Sequence, residues 1–238
     1  MIKTAIVTGA TGEIGRAITD ALIQNDFAVC AVYNTGNQKA EEMTEKYKDK
    51  PFYTLQADIS DFDSTEKLYN EASSLLGKIG VSVHCAGIEH SGLLAMMPSE
   101  KWNEVISVNL TGTYNCCKCA VKKMLQNKYG RIINISSVSA TMPFPGQAAY
   151  AASKAGVNAI TKTLAKEVAK FGITVNSVAP GFVHSPMADE YYEKNISSIP
   201  AGRFAEPEEV AATACFLAGE HAGYITGAIY SIDGGLGA

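Results

Sequence analysis

The stretch that most limits what this chain can fold into is its first twenty-five residues. IKTAIVT, residues 2–8, is a short β-rich apolar run; GATGEIG follows at once, and RAITDALIQN then repeats apolar residues at helical spacing. A buried strand that turns through glycines into an amphipathic helix opens a βαβ unit on a parallel sheet. Gly9, Gly12 and Gly15 permit a tight turn, close approach of the backbone to a pyrophosphate, and packing of the helix on the sheet, while the helix N-terminus offers free N–H groups to an anion. The expected nucleotide cradle is therefore Gly9, Thr11, Gly12, Glu13, Ile14 and Gly15; the competing reading is a glycine-capped turn with no ligand.

The same alternation continues to the end. Strand patterns at FAVCAVY, PFYTLQADIS, IGVSVHCAG, GRIINIS, GITVNSVAPGF and GAIYSIDGG are separated by helical patterns at 40–48, 61–76, 99–127, from AAYAASKAG onward, and at PEEVAATACFLAGE. This predicts an α/β fold, a Rossmann-type doubly wound parallel sheet with helices on both faces and the ligand at the carboxyl ends of the strands near the topological switch. With 238 residues, 47% of them hydrophobic, and no linker, residues 1–238 form one domain. Residues 182–203, including His184, Tyr191, Tyr192 and Arg203, have no clear periodicity and read as a substrate lid.

Several strand ends carry candidate ligand contacts. The second strand ends in Tyr33-Asn34-Thr35-Gly36-Asn37 without an acidic residue. A carboxylate there would grip a ribose 2′-hydroxyl and repel a 2′-phosphate, so its absence favours NADP(H) over NAD(H), with Asn34, Thr35 and Asn37, and Lys39 or Arg16, around the phosphate. Asp58, followed by Ile59, could meet an adenine amine or cap the helix that begins near Ser60. Ala86-Gly87 are small enough for a ring to lie against the backbone, and Pro180-Gly181 form a turn where the sixth strand stops.

Proton chemistry is expected from a second set. Tyr150 and Lys154 are four apart on one helix and share a face. Bringing a phenol from a pKa near ~10 to ~7 takes about 4 kcal/mol. One ammonium roughly 4–5 Å away supplies on the order of 3–4 kcal/mol at an effective dielectric of ~20. Ser137, at the end of the strand before that helix, can donate a hydrogen bond to a carbonyl oxygen gaining charge. Asn109, in SVNLTG mid-helix, can hold a water chain to Lys154 through its amide or an opened backbone carbonyl. Alternatively YxxxK is an ordinary surface pair and Asn109 an exposed helix residue.

The formal charge of −4 argues against nucleic acid as partner, no apolar run is long enough to span a bilayer, and the N-terminus leads straight into a strand without a secretory leader, so a cytoplasmic location is expected. Cys116, Cys117 and Cys119 lack a second ligand pair and fall inside a helix, so they are expected as core residues in a reducing compartment rather than a metal site. Lys122, Lys123, Lys128 and Arg131 are expected near the site entrance, where they dock an acidic carrier or form a solvated basic face.

The motifs TGATGEIG, AG at 86–87, SVNLTG, GRIINISS, YAASK, ITVNSVAPGFV, IPAGRFAEPEEVA and ITGAIYSIDGG together resemble the classical short-chain dehydrogenases/reductases over essentially the whole chain, most of all the branch that reduces 3-oxoacyl thioesters on acyl carrier protein in bacterial fatty-acid synthesis. The resemblance implies Tyr150 as proton donor, Lys154 on the cofactor ribose, Ser137 orienting the substrate carbonyl and Asn109 anchoring a proton relay. It also implies contacts of Val183 and Ser185 with the nicotinamide carboxamide, and helices around 100–125 and 150–170 paired in a homodimer, usually within a tetramer. The glycine turn departs from the usual TGxxxGxG, with Gly12 one place early and Glu13 at the usual middle glycine, and no arginine stands at Gly12; His84 and Cys85 replace two asparagines of the usual NNAG. The same groups would serve a ketoreductase of polyketide or aryl polyene synthesis or a reductase of another ketone, with the lid and the segment Glu89 to Pro98, including Met96 and Met97, setting the substrate; a nucleotide-binding protein without turnover is the alternative of another class.

Overall fold

The computed structural model describes residues 1–185 and 196–238, so the central part of the expected lid lies outside the described residues. Seven strands, β1 (Thr4–Thr8), β2 (Ala28–Tyr33), β3 (Phe52–Gln56), β4 (Val81–His84), β5 (Gly130–Ile135), β6 (Ile173–Pro180) and β7 (Ile229–Ile232), form one sheet in the order β3-β2-β1-β4-β5-β6-β7. Every pair is parallel; Ile6 stands opposite Cys30 on one side and Ser82 on the other. Among the described residues the α-helices are α1 (Glu13–Gln24), α2 (Asn37–Lys46), α3 (Phe62–Leu76), α4 (Ser99–Val105), α5 (Gly112–Asn127), α6 (Ala148–Val168) and α7 (Pro207–Ala218).

Strand alternation explains why both faces are covered. Ala5, Val7, Ile133, Ile135 and Val178 point to one core with Ile18 and Leu22 of α1 and Val210 and Leu217 of α7. Ile6, Ile132, Ile173 and Val175 point to the other, with Leu68 and Tyr69 of α3, the three α5 cysteines, and Ala165 and Val168 of α6. A strand apolar on both sides can sit only inside a sheet sandwiched by helices. Cys116, Cys117 and Cys119 are buried side chains of that second core, as expected.

A buried polar chain crosses the second face. Tyr69 Oη lies 2.6 Å from Ser82 Oγ and 3.2 Å from His84 Nε2; His84 Nδ1 lies 2.7 Å from Asn134 Oδ1, and Asn134 Nδ2 donates to Thr161 Oγ1 at 2.8 Å. It links α3, β4, β5 and α6 through groups that each find a partner away from water, as buried polar groups must. Burial keeps His84 neutral, its pKa pushed down to about 4 although Asn134 opposes the shift.

The expected basic cluster is not at the ligand end. In a parallel sheet the connecting helices run back against the strands, so the last turn of α5 and the start of β5 lie at the amino ends of the strands. There Lys122 pairs with Glu66 at 2.8 Å, Lys123 donates to Asn70 Oδ1 at 2.8 Å, and Arg131, 5% exposed, donates to the carbonyls of Gly219 and Gly130. Among the described residues no helix is long and apolar enough to cross a membrane.

Candidate active site

The sheet order reverses between β1 and β4, and the chain narrows there. Gly9 follows β1 with φ +65°, and a Cβ on it would lie 2.6 Å from Ala86 Cα and 2.7 Å from Ala86 N. Only glycine fits that approach. Thr8 Oγ1 accepts from Cys85 N at 3.2 Å and ties the two strand ends together. A Cβ on Gly15 would stand 2.2 Å from the Gly9 carbonyl oxygen, so the first turn of α1 rests directly on the glycine turn. Gly12 is the extended N-cap of α1 and supplies no side-chain cap, which leaves the first N–H groups of a twelve-residue helix facing the crevice.

The remaining ligand candidates stand around this crevice with differing surroundings. Thr11 Oγ1 is 3.5 Å from the Thr35 carbonyl oxygen, the Asn34 carbonyl accepts from Gln56 Nε2 at 2.9 Å, and Glu13 forms a 3.5 Å ion pair with Lys39. Ile14 packs on the first core. Asp58 is exposed and accepts from Ser60 N and Ser60 Oγ; the cap of α3 is Asp61, which accepts from Ser64 N at 2.8 Å, so the capping role expected of Asp58 falls three residues later. The side chain of Ile59 is buried, packed beneath Gly112, where a Cβ would meet it at 2.8 Å. Ala86 and Gly87 follow β4, and Pro180 ends β6. Gly181 packs on Asp233, Val183 pairs with Ala205, and Ser185 stands at the edge of the described residues. Phe182 and Phe204 stack at 5.2 Å beside that edge.

The residues expected to handle protons converge from the end of β5, α6 and the stretch between α4 and α5. Lys154 is 4% exposed, and its Nζ donates to the Ile135 carbonyl oxygen at 2.7 Å and lies 5.6 Å from the Tyr150 ring centroid. Ser136 Oγ donates to the Lys154 carbonyl at 3.2 Å, which fixes α6 to the end of β5. Ser137, the next residue, accepts from Ser139 N at 3.1 Å through Oγ, and its hydroxyl is the group that acts to lower the Tyr150 pKa. Asn109 is fully buried where Ile106–Thr111 widen into a π-helical turn. Its amide accepts from Ile88 N at 2.8 Å and donates to Ile88 O at 2.9 Å and Ser153 Oγ at 3.1 Å, so the side chain clamps the segment after β4, and the Asn109 carbonyl accepts from Thr113 Oγ1.

The electrostatics differ from the expectation for Tyr150. Burial pushes its pKa up to about 12, and the Ser137 hydroxyl is the group that opposes this, while Glu89 and Cys85 reinforce it. Lys154 is pushed down to about 8 by burial, partly countered by Cys85. The spacing of Tyr150 and Lys154 was legible, but the ammonium is directed to the Ile135 carbonyl, and the hydroxyl that eases phenolate formation belongs to Ser137.

These residues suit a nicotinamide dinucleotide. A Cβ at Gly87 would stand 3.4 Å from Lys154 Nζ and 3.3 Å from Asn109 Oδ1, so the glycine leaves the ammonium open to a ribose between the uncapped α1 and Tyr150. Sequence reasoning missed Gln147, Ser139 and Ser153. Gln147 precedes Tyr150 by three residues and its Oε1 accepts from Ser139 Oγ at 2.9 Å; Ser153 Oγ donates to the Tyr150 carbonyl at 2.7 Å. For Gln147 and Ser153 the only signal was a polar residue within a turn of Tyr150; Ser139, eleven residues before it, carried none.

Comparison with known proteins adds an independent finding. A family model described as enoyl-(acyl carrier protein) reductase matches residues 9–237. The chain is 41% identical over 242 aligned residues to a 3-oxoacyl-[acyl-carrier-protein] reductase of Staphylococcus aureus, covering 99% of this chain and 98% of that one. It is 40% identical to the protein of that name from Haemophilus influenzae, covering 98% of each, and 39% identical to that of Vibrio harveyi, covering 98% of this chain and 97% of the relative.

Proposed function

The chain belongs to the short-chain dehydrogenase/reductase family, and from that premise we propose that it reduces a 3-oxoacyl thioester, carried on acyl carrier protein, to the 3-hydroxyacyl thioester with NADPH in the cytoplasm, as a homo-oligomer. The observation that carries this reading is the convergence of Ser137, whose hydroxyl eases the Tyr150 phenol toward ionisation, with Tyr150 and the buried Lys154, whose Nζ lies 5.6 Å from the Tyr150 ring centroid. Two hydroxyls at one point suit an oxygen that gains negative charge, as a ketone oxygen does when its carbon is reduced. The bound nicotinamide supplies the hydride.

Ser137 holds the ketone oxygen by hydrogen bonding, and Tyr150 gives its proton to the forming alkoxide, which is more basic than a phenolate. Lys154 would hold a ribose, the Ser137 hydroxyl stabilises the phenolate that remains, and Asn109 keeps the segment at Ile88 in place while its helix opening would line a path for proton resupply. Support for NADP(H) over NAD(H) is the absence of a carboxylate at Tyr33-Asn34-Thr35 and the presence of Lys39 in the first turn of α2.

The decisive assay follows oxidation of NADPH and of NADH with acetoacetyl and crotonyl thioesters, free and carrier-linked. Fastest turnover with NADPH and the acetoacetyl thioester is the expected result. Faster turnover of the crotonyl thioester would reassign the reaction to the double bond.

A further inference from the structure

Outside the group of Ser137, Tyr150, Lys154 and Asn109, one ionisable side chain is connected to the site by hydrogen bonds. Glu89 Oε1 accepts from Gln147 Nε2 at 2.7 Å and from Ser91 Oγ at 3.1 Å. Gln147 Oε1 in turn accepts from Ser139 Oγ at 2.9 Å, and Ser139 N donates to Ser137 Oγ at 3.1 Å. Gly92 N also donates to the Gly146 carbonyl at 2.9 Å, so the loop that carries Glu89 is held at two points against the segment leading into the helix of Tyr150. The carboxylate is exposed, and among the described residues no basic side chain pairs with it. Its charge reaches Tyr150, where it opposes loss of the phenol proton.

A fixed, unneutralised carboxylate at the mouth of a site for β-keto compounds has a consequence for the substrate. With the keto oxygen on Ser137 and Tyr150, the carbonyl at C1 lies two bonds from the reacting carbon. In a thioester or ester C1 is neutral; in the free acid it is a second carboxylate, and two like charges a short distance apart repel, an effect that solvent at the exposed Glu89 screens without abolishing. We propose that Glu89 is a specificity-determining residue that makes this site select neutral β-keto thioesters and esters over free β-keto acids. Gln147 and Ser91 hold the carboxylate in place, and among the described residues no cation pairs with it, which leaves its charge effective.

This selection rests on the reductase reading, and the experiment separates the two. Steady-state kinetics with NADPH are measured for wild type and Glu89→Gln on acetoacetate, methyl acetoacetate and acetoacetyl-N-acetylcysteamine. Glutamine retains an oxygen that accepts from Gln147 but removes the charge. The expected result is a wild-type preference for both neutral substrates, and a rise of about tenfold in the ratio of kcat/KM for acetoacetate to that for its methyl ester in the variant. A merely structural tie would move all three substrates by one factor, leaving the ratio unchanged, and that result overturns the proposal. So does a wild type that reduces acetoacetate as well as its ester. If wild type reduces none of the three, the reductase reading fails. The charge selection is then read by ligand-observed NMR of 3-hydroxybutyrate and its methyl ester with NADP+ present, where equal binding to wild type overturns it and weaker binding of the acid, relieved in the variant, supports it.

Discussion

A lysine whose ammonium is buried among a carbonyl, a thiol and a phenol sheds its proton more easily than a lysine in water, and for Lys154 that point is about 8. The sign follows from the charged form being the one that burial penalises: the ammonium is present below this pH and is lost as pH rises through it. The rate should therefore decline above about pH 8, which a kcat/KM profile from pH 6 to 10 checks; Lys154→Arg, which keeps its charge, should lack that alkaline limb. Tyr150→Phe removes the proposed proton donor and should lower kcat/KM by roughly 10²–10⁴-fold while changing stability by no more than about 1 kcal/mol, measured by single-turnover kinetics and urea unfolding. Residues close in sequence to an element were legible: Tyr150 and Lys154 share a helix, and Ser137 follows the end of β5 by two residues. The partners were not. Ile135 O, Ile88 and Ser153 reach Lys154 and Asn109 across 19, 21 and 44 positions, distances fixed by the sheet order rather than by local spacing.

At the scale of elements, strands β1, β5 and β6 were readable because a doubly buried strand must be apolar on both faces, and the glycine turn because its two neighbours differ in period. The π-helical turn at 106–111 was not, since it exists to seat Asn109 on Ile88, a contact made by another strand end. Asp58 was read as either an adenine contact or the cap of α3, and the cap is Asp61, because either acid in DISDF serves locally and only the chain path chooses. Gly9→Ala forces a Cβ against Ala86 at φ +65° and should cost about 1–3 kcal/mol in denaturant unfolding, together with most of the affinity for the nicotinamide cofactor. The Tyr69–His84–Asn134–Thr161 chain carries its own signature. His84 titrates near 4 in the fold against 6.5 unfolded, so its contribution is complete above about pH 6.5 and is lost as pH falls toward 4, up to about 3 kcal/mol. Urea midpoints between pH 7 and pH 4.5 should show this dependence, and His84→Asn should flatten it.

For the whole molecule, the position of the basic residues was the expectation that failed most plainly. Lys122, Lys123, Lys128 and Arg131 are close in sequence, but a helix that returns antiparallel to the strands takes them to the end of the sheet remote from Gly9 and Tyr150. Lys122→Glu combined with Lys123→Glu should therefore change carrier-linked and free-thioester turnover by the same factor, which paired assays on both substrates would report. The fold class, by contrast, was legible throughout, because the repeated change of period from strand to helix leaves one covered parallel sheet as the arrangement that buries every apolar face. The narrow seam where Gly9 meets Ala86 also divides the polypeptide into two inheritable parts: the glycine turn and the ends of β2 and β3 all precede it, and Asn109, Ser137, Tyr150 and Lys154 all follow it. A crossover between homologues at that junction would exchange coenzyme preference as one cassette and leave the acid–base apparatus untouched, a route by which redox currency could drift without reinventing turnover.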